Sequence, residues 1–533
     1  MDAISSRLFL YLILSLCISV LLYTFSNRPS NLPEGPAGIP FFGNIFDVRG
    51  EHLHFKLTNW ARLYGDFFSY KIGRTPVIVL SSPEAINDLF VKRGQKYSSR
   101  PRASNQASLI TQEARIVNMP YGDRWREHRR VIHSLLGMQT AKFFLPFQEY
   151  ESRRTLKNLL DEPKAFWEEV SRFSGSITFS LLLSCRFERS DAIIPQSIGR
   201  KMQMFFNHIR PGAWLVDWIP VFDYLPDALA PWRNQAIVVR NQIMPFYLVF
   251  YEQMKERVRN GTAPDCFITR LLSDETKHFD EVEYAHIIAE MITAGTETTA
   301  TTLQWFFKAA VLNPDSMERA QEEIDRVVGR ERLPTWDDQA SLPYITAMIH
   351  ELHRWATATP MAFLHSTSEA DVYREKSIPK GAVVIANVYG IHQNPRYFPQ
   401  PDRLMPERFL DPKDPRAIPG ANLVGQHFAF SAGRRECPGR HVADASLFIM
   451  ISRILWAFDI REKPNELPPP GYTGAFPVLG PALFECLIEP RNKATEQTIR
   501  EQGDINRPRD LEDSSVYETL ISQMNQGQEC AQE

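Results

Sequence analysis

Apolar positions change their spacing along the chain, and the changes divide it. The first run, Leu8 to Phe25 (LFLYLILSLCISVLLYTF), carries no charge and is near the shortest length that crosses a hydrocarbon core. It is long for a removed signal peptide and has no small-residue cleavage pattern. Tyr23 and Phe25 stand where interfacial anchors stand, so 8–25 is read as a retained transmembrane anchor. A stiff strap follows over 28–45, where RPSNLPEGPAGIPFFGN is rich in proline and glycine. Short alternating runs in FFSYKIGRTPVIVLSSP, Phe67 to Pro83, predict a β-hairpin. Helical periodicity then takes over. It predicts helices over Gly122–Leu136, Phe143–Leu160, Gln235–Asn260, His278–Asn313, Pro314–Val328 and Leu342–Trp355. Short strands return near Val383–Ala386 and Phe484–Ile488. The prediction is a mainly α fold with a minor β-sheet, one large domain over 46–491. Residues 492–533 are polar, acidic and poor in large apolar residues, which predicts a disordered tail.

Charge and cysteine usage narrow the chemistry. A net charge of −3 gives no reason to expect nucleic acid as a partner. The six cysteines are scattered, without a CxxC pair, which argues against a disulfide framework and a zinc finger and points to a reducing compartment.

Four segments carry candidate chemistry. AGTETT, Ala294 to Thr299, places glycine and consecutive threonines inside a long apolar helix, where they are poor choices for helix stability alone. Glu297 beside Thr298 offers a carboxyl and a hydroxyl able to pass protons into a buried pocket. In IHELHRW, Ile349 to Trp355, the zinc-protease spacing fails, because Arg354 stands where the second histidine belongs. Glu351 and Arg354 lie three apart on one helical face among apolar residues and read as a buried structural pair, with Arg408 of MPERF as a third member. Trp125 and Arg129 share a face of the helix that contains YGDRWREHRRVIH, with Arg124, Arg126 and Arg130 beside them. Lastly, FSAGRRECPG holds Cys437 on a turn just before an amphipathic helix, RHVADASLFIMISRILWAF. There Gly433 and Gly439 permit tight backbone approach and exposed N–H groups favour a thiolate. A thiolate with no second protein ligand suits a haem iron, whose equatorial bonds come from the porphyrin.

Taken in order, these segments resemble the cytochrome P450 family, in its membrane-bound eukaryotic microsomal form. Phe430, Gly433, Arg435, Cys437 and Gly439 fit F-x-x-G-x-R-x-C-x-G; Ala294–Thr299 fits the oxygen-activating helix; Glu351 with Arg354 fits E-x-x-R; Trp125 with Arg129 fits W-x-x-x-R; Glu407-Arg408-Phe409 fits the later P-E-R-F element. The resemblance implies a haem b cofactor with Cys437 as the axial ligand and metal-binding residue. Trp125, Arg129, His365 and Arg435 would hold the propionates, and Glu297 and Thr298 would deliver protons to bound dioxygen. It further implies electrons from NADPH through a membrane reductase, with Arg124, Arg126, Arg130 and Arg434 as docking charges. The catalytic domain would lie on the cytosolic face of the endoplasmic reticulum membrane.

The sequence departs from the family where Ser431 replaces a frequent glycine, where Glu436 replaces an uncharged residue, and where Leu364 replaces a frequent proline before His365. Substrate contacts are expected from Arg102–Asn118, Pro211–Trp232, the helix near Ala294, Thr359–Phe363 and Gly474–Leu479. These hold no evident charge pair, so a fairly hydrophobic small molecule is expected. The chain is similar to fungal members that oxidise polyketides, terpenoids and indole alkaloids. A haem-thiolate isomerase or dehydratase, or a non-catalytic haem-binding membrane protein, would have no need of Glu297 and Thr298.

Overall fold

The computed structural model describes Ser15 and residues 31–530, except 41, 51, 102–104, 190, 210–213, 215, 217–219, 277, 418–426, 475–476, 504–505 and 509–510. The anchor expected over 8–25 lies outside the described residues, apart from Ser15. No helix among the described residues is long and apolar enough to cross a membrane.

From its N-terminal side the strap lies along the first hairpin: Ser69 donates its amide to Glu34 O and its hydroxyl to Pro33 O. Helix α1 (Leu53–Tyr64) precedes strands β1 (Phe67–Ile72) and β2 (Thr75–Leu80), which form the expected antiparallel hairpin. Then come α2 (Asp123–Leu136), α3 (Leu145–Asp161), α4 (Phe166–Leu183), β3 (Cys185–Arg186), α5 (Ile193–Ile209), α6 (Pro231–Arg259) and α7 (Glu281–Leu312). The chain continues through α8 (Pro314–Val327), α9 (Pro343–Trp355), β4 (His365–Ser366) and β5 (Val383–Ala386). It ends with α10 (Arg440–Ala457), β6 (Phe458–Glu462), β7 (Cys486–Pro490), α11 (Lys493–Gly503), β8 (Glu512–Asp513) and α12 (Ser515–Cys530). The main sheet has the order β1-β2-β5-β4, with β5 parallel to β2. The strand expected at Phe484–Ile488 starts two residues later and pairs with β6.

Helix α7 organises the interior. Asp280 and Glu283 form a reciprocal capping box that fixes its start. Its first half, Tyr284 to Ile292, belongs to an apolar core built with α4, α5 and α6. Its second half, Leu303 to Val311, belongs to another core built with α8, α9 and α10. Between these two cores, Ala294 is exposed and Gly295 to Thr298 are partly accessible, in a helix otherwise buried for most of its length. Gly295 is there because α4 crosses close by. A Cβ at this position would lie 2.6 Å from Thr178 Oγ1, and Ser174 donates to the Gly295 carbonyl at 2.9 Å.

Two expectations are corrected. The helix after Cys437 is not amphipathic: from Ser446 to Ala457 every residue of α10 is buried, because helices pack around its whole circumference. The tail is not disordered. Ile499 of α11 is buried in the core with α3 and α4, and β8 pairs in parallel with β3. Tyr517 and Ile521 of α12 are buried in the core shared by α5 and α6, with Met524 packed against it. Those three positions, at i, i+4 and i+7, make one narrow apolar stripe, enough to dock a helix whose overall composition is polar. Arg257 of α6 clamps Glu512 through two bonds of 2.7 and 2.8 Å.

Candidate functional site

Cys437 sits on a loop whose shape is set by close backbone approaches. Gly433 has φ +70°, and a Cβ there would lie 2.1 Å from the Phe90 carbonyl oxygen. This glycine therefore makes room for a neighbouring chain segment. Ser431 has φ +62°, in the left-handed region that costs a side-chain-bearing residue about 1 kcal/mol, which is the physical reason glycine suits this position. The Cys437 amide donates to Phe430 O at 3.0 Å, and Gly439 is the N-cap of α10. Cys437 is crowded by protein yet solvent-accessible, so its thiol faces an opening inside the fold. Burial pushes the thiol up, opposed by the Gly439 N–H and by Arg129.

Glu436, one residue before it, has its side chain 42% accessible and paired with Arg440 at 3.1 Å. It is a surface carboxylate, and only its backbone takes part in the site, accepting from Arg129 Nη2 at 2.5 Å.

Arginines converge beside the cysteine. Arg435 donates to the carbonyls of Ser98, Ile116 and Met119 and stacks 4.4 Å over the Trp125 ring. Arg100, which sequence reasoning missed, donates to the carbonyls of Val117, Phe363 and Leu364. Among the described residues, none of Arg100, Arg129 and Arg435 has an ion-pair partner, and the Trp125 indole N–H has no acceptor. Burial, followed by Arg100 and then Arg129, pushes Arg435 down to about 8. Burial likewise pushes Arg100 to about 10 and lowers Arg129. Three half-buried guanidiniums with no ion-pair partner among the described residues are a site for a bound anion. Haem, with two propionates and an iron that accepts one thiolate, fits this donor set.

His365 is brought into the same cluster but in a weaker role. It stacks on Phe90 at 4.0 Å, and its Nδ1 lies 2.7 Å from Tyr97 O. Burial holds the ring well below its usual range, so it is neutral, and with Nδ1–H given to the carbonyl its Nε2 is an acceptor. A carboxylate is therefore better served by the neighbouring Arg100.

On the accessible stretch of α7, Glu297 has no hydrogen bond or ion pair among the described residues, and burial alone pushes its carboxyl up to about 7. The Thr298 hydroxyl donates to Ala294 O at 2.8 Å. The expected carboxyl–hydroxyl pair is thus not directly bonded, as adjacent helical residues do not face each other. Two turns earlier on the same face, Glu290 receives Arg115 Nε at 2.8 Å, and Arg115 Nη2 reaches Thr293 Oγ1 at 2.6 Å. The segments from which substrate contacts are expected do hold a charge pair, contrary to the expectation from sequence.

The structural pair is as expected, with Glu351, Arg354 and Arg408 buried together. Of the basic residues considered for docking, Arg124 is ion-paired to both Glu283 and Glu127 and so is not a free charge. Arg126, Arg130 and Arg434 are exposed, with Arg126 paired to Asp123 and Arg434 bonded to the Tyr121 hydroxyl.

Comparison with known proteins agrees with this geometry. A family model described as Cytochrome P450 matches residues 33–483. Cytochrome P450 monooxygenase polD of Polytolypa hystricis is 35% identical over 514 residues, covering 95% of this chain and 98% of its own. Cytochrome P450 monooxygenase verL of Clonostachys rogersoniana is 33% identical over 501 residues, covering 90% and 91%. Cytochrome P450 monooxygenase fogE of Aspergillus ruber is 32% identical over 487 residues, covering 89% and 90%.

Proposed function

The chain belongs to the cytochrome P450 family of monooxygenases, and from that premise we propose that it inserts one atom of dioxygen into a fairly hydrophobic small molecule, as a step of fungal secondary-metabolite biosynthesis. The observation that carries this reading is the accessible thiol of Cys437 beside three half-buried guanidiniums without an ion-pair partner among the described residues. Haem, when bound, supplies the iron and the oxygen chemistry. Cys437 holds the iron. Arg435, Arg129, Arg100 and Trp125 hold the propionates, with His365 adjacent. Glu297, raised to about 7, still holds a proton in part of the molecules at neutral pH, and Thr298 has lone pairs left to accept one through an intervening water. The substrate class comes from the sequence's similarity to fungal enzymes acting on polyketides, terpenoids or indole alkaloids.

The test is the spectrum of the reduced protein with carbon monoxide. The wild type is expected to show the far-red-shifted Soret band of thiolate-ligated haem, and Cys437→Ala to lose it while keeping its circular dichroism. A band that survives in Cys437→Ala overturns the reading.

We also propose that the protein works at the endoplasmic reticulum membrane, its catalytic domain cytosolic, with electrons from NADPH delivered by a membrane reductase. Arg126, Arg130 and Arg434 form the exposed basic surface for that reductase. Reversing the charge of Arg126 and Arg130 is expected to lower reductase-supported turnover, most at low ionic strength. Unchanged turnover across ionic strength removes this docking site.

A further inference from the structure

Arg354 and Arg172, in buried ion pairs of the fold, have their hydrogen-bonding positions filled, whereas Arg408 leaves Nη1 without an acceptor among the described residues. Arg354 makes five: two to Glu351 and one each to the carbonyls of His392 and Pro401 through Nη1 and of Arg403 through Nη2. Arg172 likewise reaches Glu169, Glu151, Thr155 and the Phe187 carbonyl. Whereas both oxygens of Glu351 are filled, the Arg115–Glu290 pair leaves a position open on both partners. Their side chains are only 8% and 14% accessible, yet Arg115 Nη1 has no acceptor and Glu290 Oε1 no donor among the described residues. Neither atom is sealed in the core. Both free positions are therefore open to solvent, and a ligand that displaces that solvent has to replace its hydrogen bonds.

Where those atoms lie decides what fills them. Glu290, Ala294, Glu297 and Thr298 fall on one face of α7, spaced i, i+4, i+7 and i+8, and this face carries the accessible stretch between the two cores. Arg115 immediately precedes Ile116, whose carbonyl binds Arg435, so the pair stands next to the anion-binding cluster. Glu290 is also within electrostatic reach of Arg100 and Arg435. Phe205 of α5 lies 4.5 Å from the Arg115 guanidinium and closes the pair on one side. The free positions thus offer one donor and one acceptor, on a pair with no net charge, beside an apolar wall.

We propose that Arg115 and Glu290 are the polar anchor of the substrate site, and that the substrate carries a neutral group that both accepts and donates a hydrogen bond, a hydroxyl or a lactam amide, on an otherwise apolar body. This rests on the monooxygenase reading above. A net anion or cation gains nothing from the pair, and a fully apolar molecule leaves both atoms unfilled. The anchor selects the substrate and sets its orientation. It takes no part in the chemistry.

The test uses the full-length haem-loaded protein and a panel of apolar alcohols and lactams, each matched with its O- or N-methylated derivative. Binding is followed by the absorbance change of the haem. The wild type is expected to bind the alcohols and lactams about tenfold more tightly than their methylated partners, the loss of one hydrogen bond. Arg115→Met/Glu290→Leu, which replaces the pair by apolar groups and so leaves no buried charge, is expected to lose that preference or reverse it. Its carbon monoxide spectrum is expected to match the wild type. If the wild type shows no preference, binds no alcohol or lactam, or keeps its preference in the double variant, the anchor is overturned. A thiolate spectrum in the same samples leaves the monooxygenase reading standing, whereas its absence from the wild type counts against that reading itself.

Discussion

Replacing Glu351 with alanine is expected to destabilise the protein by about 3–5 kcal/mol, a large share of the roughly 5–15 kcal/mol that holds a native protein folded. The carboxylate accepts two bonds of 2.7 Å from Arg354, one of 3.3 Å from Arg408 and one of 2.8 Å from the Met405 amide. All three charged side chains are buried, so water cannot replace the missing partner. Removing the carboxylate leaves two guanidiniums facing each other in the interior, and removes the bond that orients the turn at Met405. Glu351→Gln keeps the volume and one acceptor, but it turns an amide N–H toward a guanidinium. It is expected to fall between alanine and wild type. Thermal unfolding of the haem-loaded protein, with limited proteolysis as a second measure, checks both. A Glu351→Ala protein that melts with the wild type would show that the three residues do not act as the lock. The effect is on the fold, so whatever fraction folds is expected to retain the thiolate spectrum.

This triad also shows what a sequence reveals. Glu351 and Arg354 are three apart on one helix, and local spacing alone puts them together. Trp125 and Arg129 are legible for the same reason, and Cys437 because its loop carries its own glycines and arginines. Arg100 gives no such signal. It is a single arginine before a proline, and only its half-buried side chain, with no ion pair among the described residues, reveals what it is for. Arg115 and Glu290 are 175 residues apart, and no local pattern joins them. The tail was misread because composition averages over a segment, whereas docking a helix needs only the stripe formed by Tyr517, Ile521 and Met524. Gly433 was correctly singled out for close backbone approach, but the neighbour it admits, Phe90, lies far away in sequence. Periodicity and short motifs record contacts within a helix or loop. They are silent on which loops meet.

Glu297→Gln is expected to lower turnover on the order of 10²-fold without changing the carbon monoxide spectrum, since a positioned proton donor contributes at least that much. Glutamine matches the shape of the carboxyl group but cannot release a proton. The pH dependence separates this from a packing effect. Burial raises the Glu297 carboxyl from 4.5 to about 7, so the wild type carries the proton at acidic pH and loses it as pH rises through neutrality. Wild-type turnover should fall as pH rises through about 7, and this inflection should be missing from Glu297→Gln. Stability changes in a linked way. The folded protein binds this proton more tightly than the unfolded chain does, so the group's contribution is fully present below pH 4.5. It is lost as pH rises through about 7, and the loss amounts to about 3 kcal/mol. The neutral glutamine has no such loss, so Glu297→Gln should gain stability relative to wild type between pH 5 and pH 8. Denaturant unfolding at those two pH values measures the gain, and a pH-rate profile measures the inflection. If both proteins show the same profile and the same stability difference at the two pH values, Glu297 is not the proton-carrying group of this site.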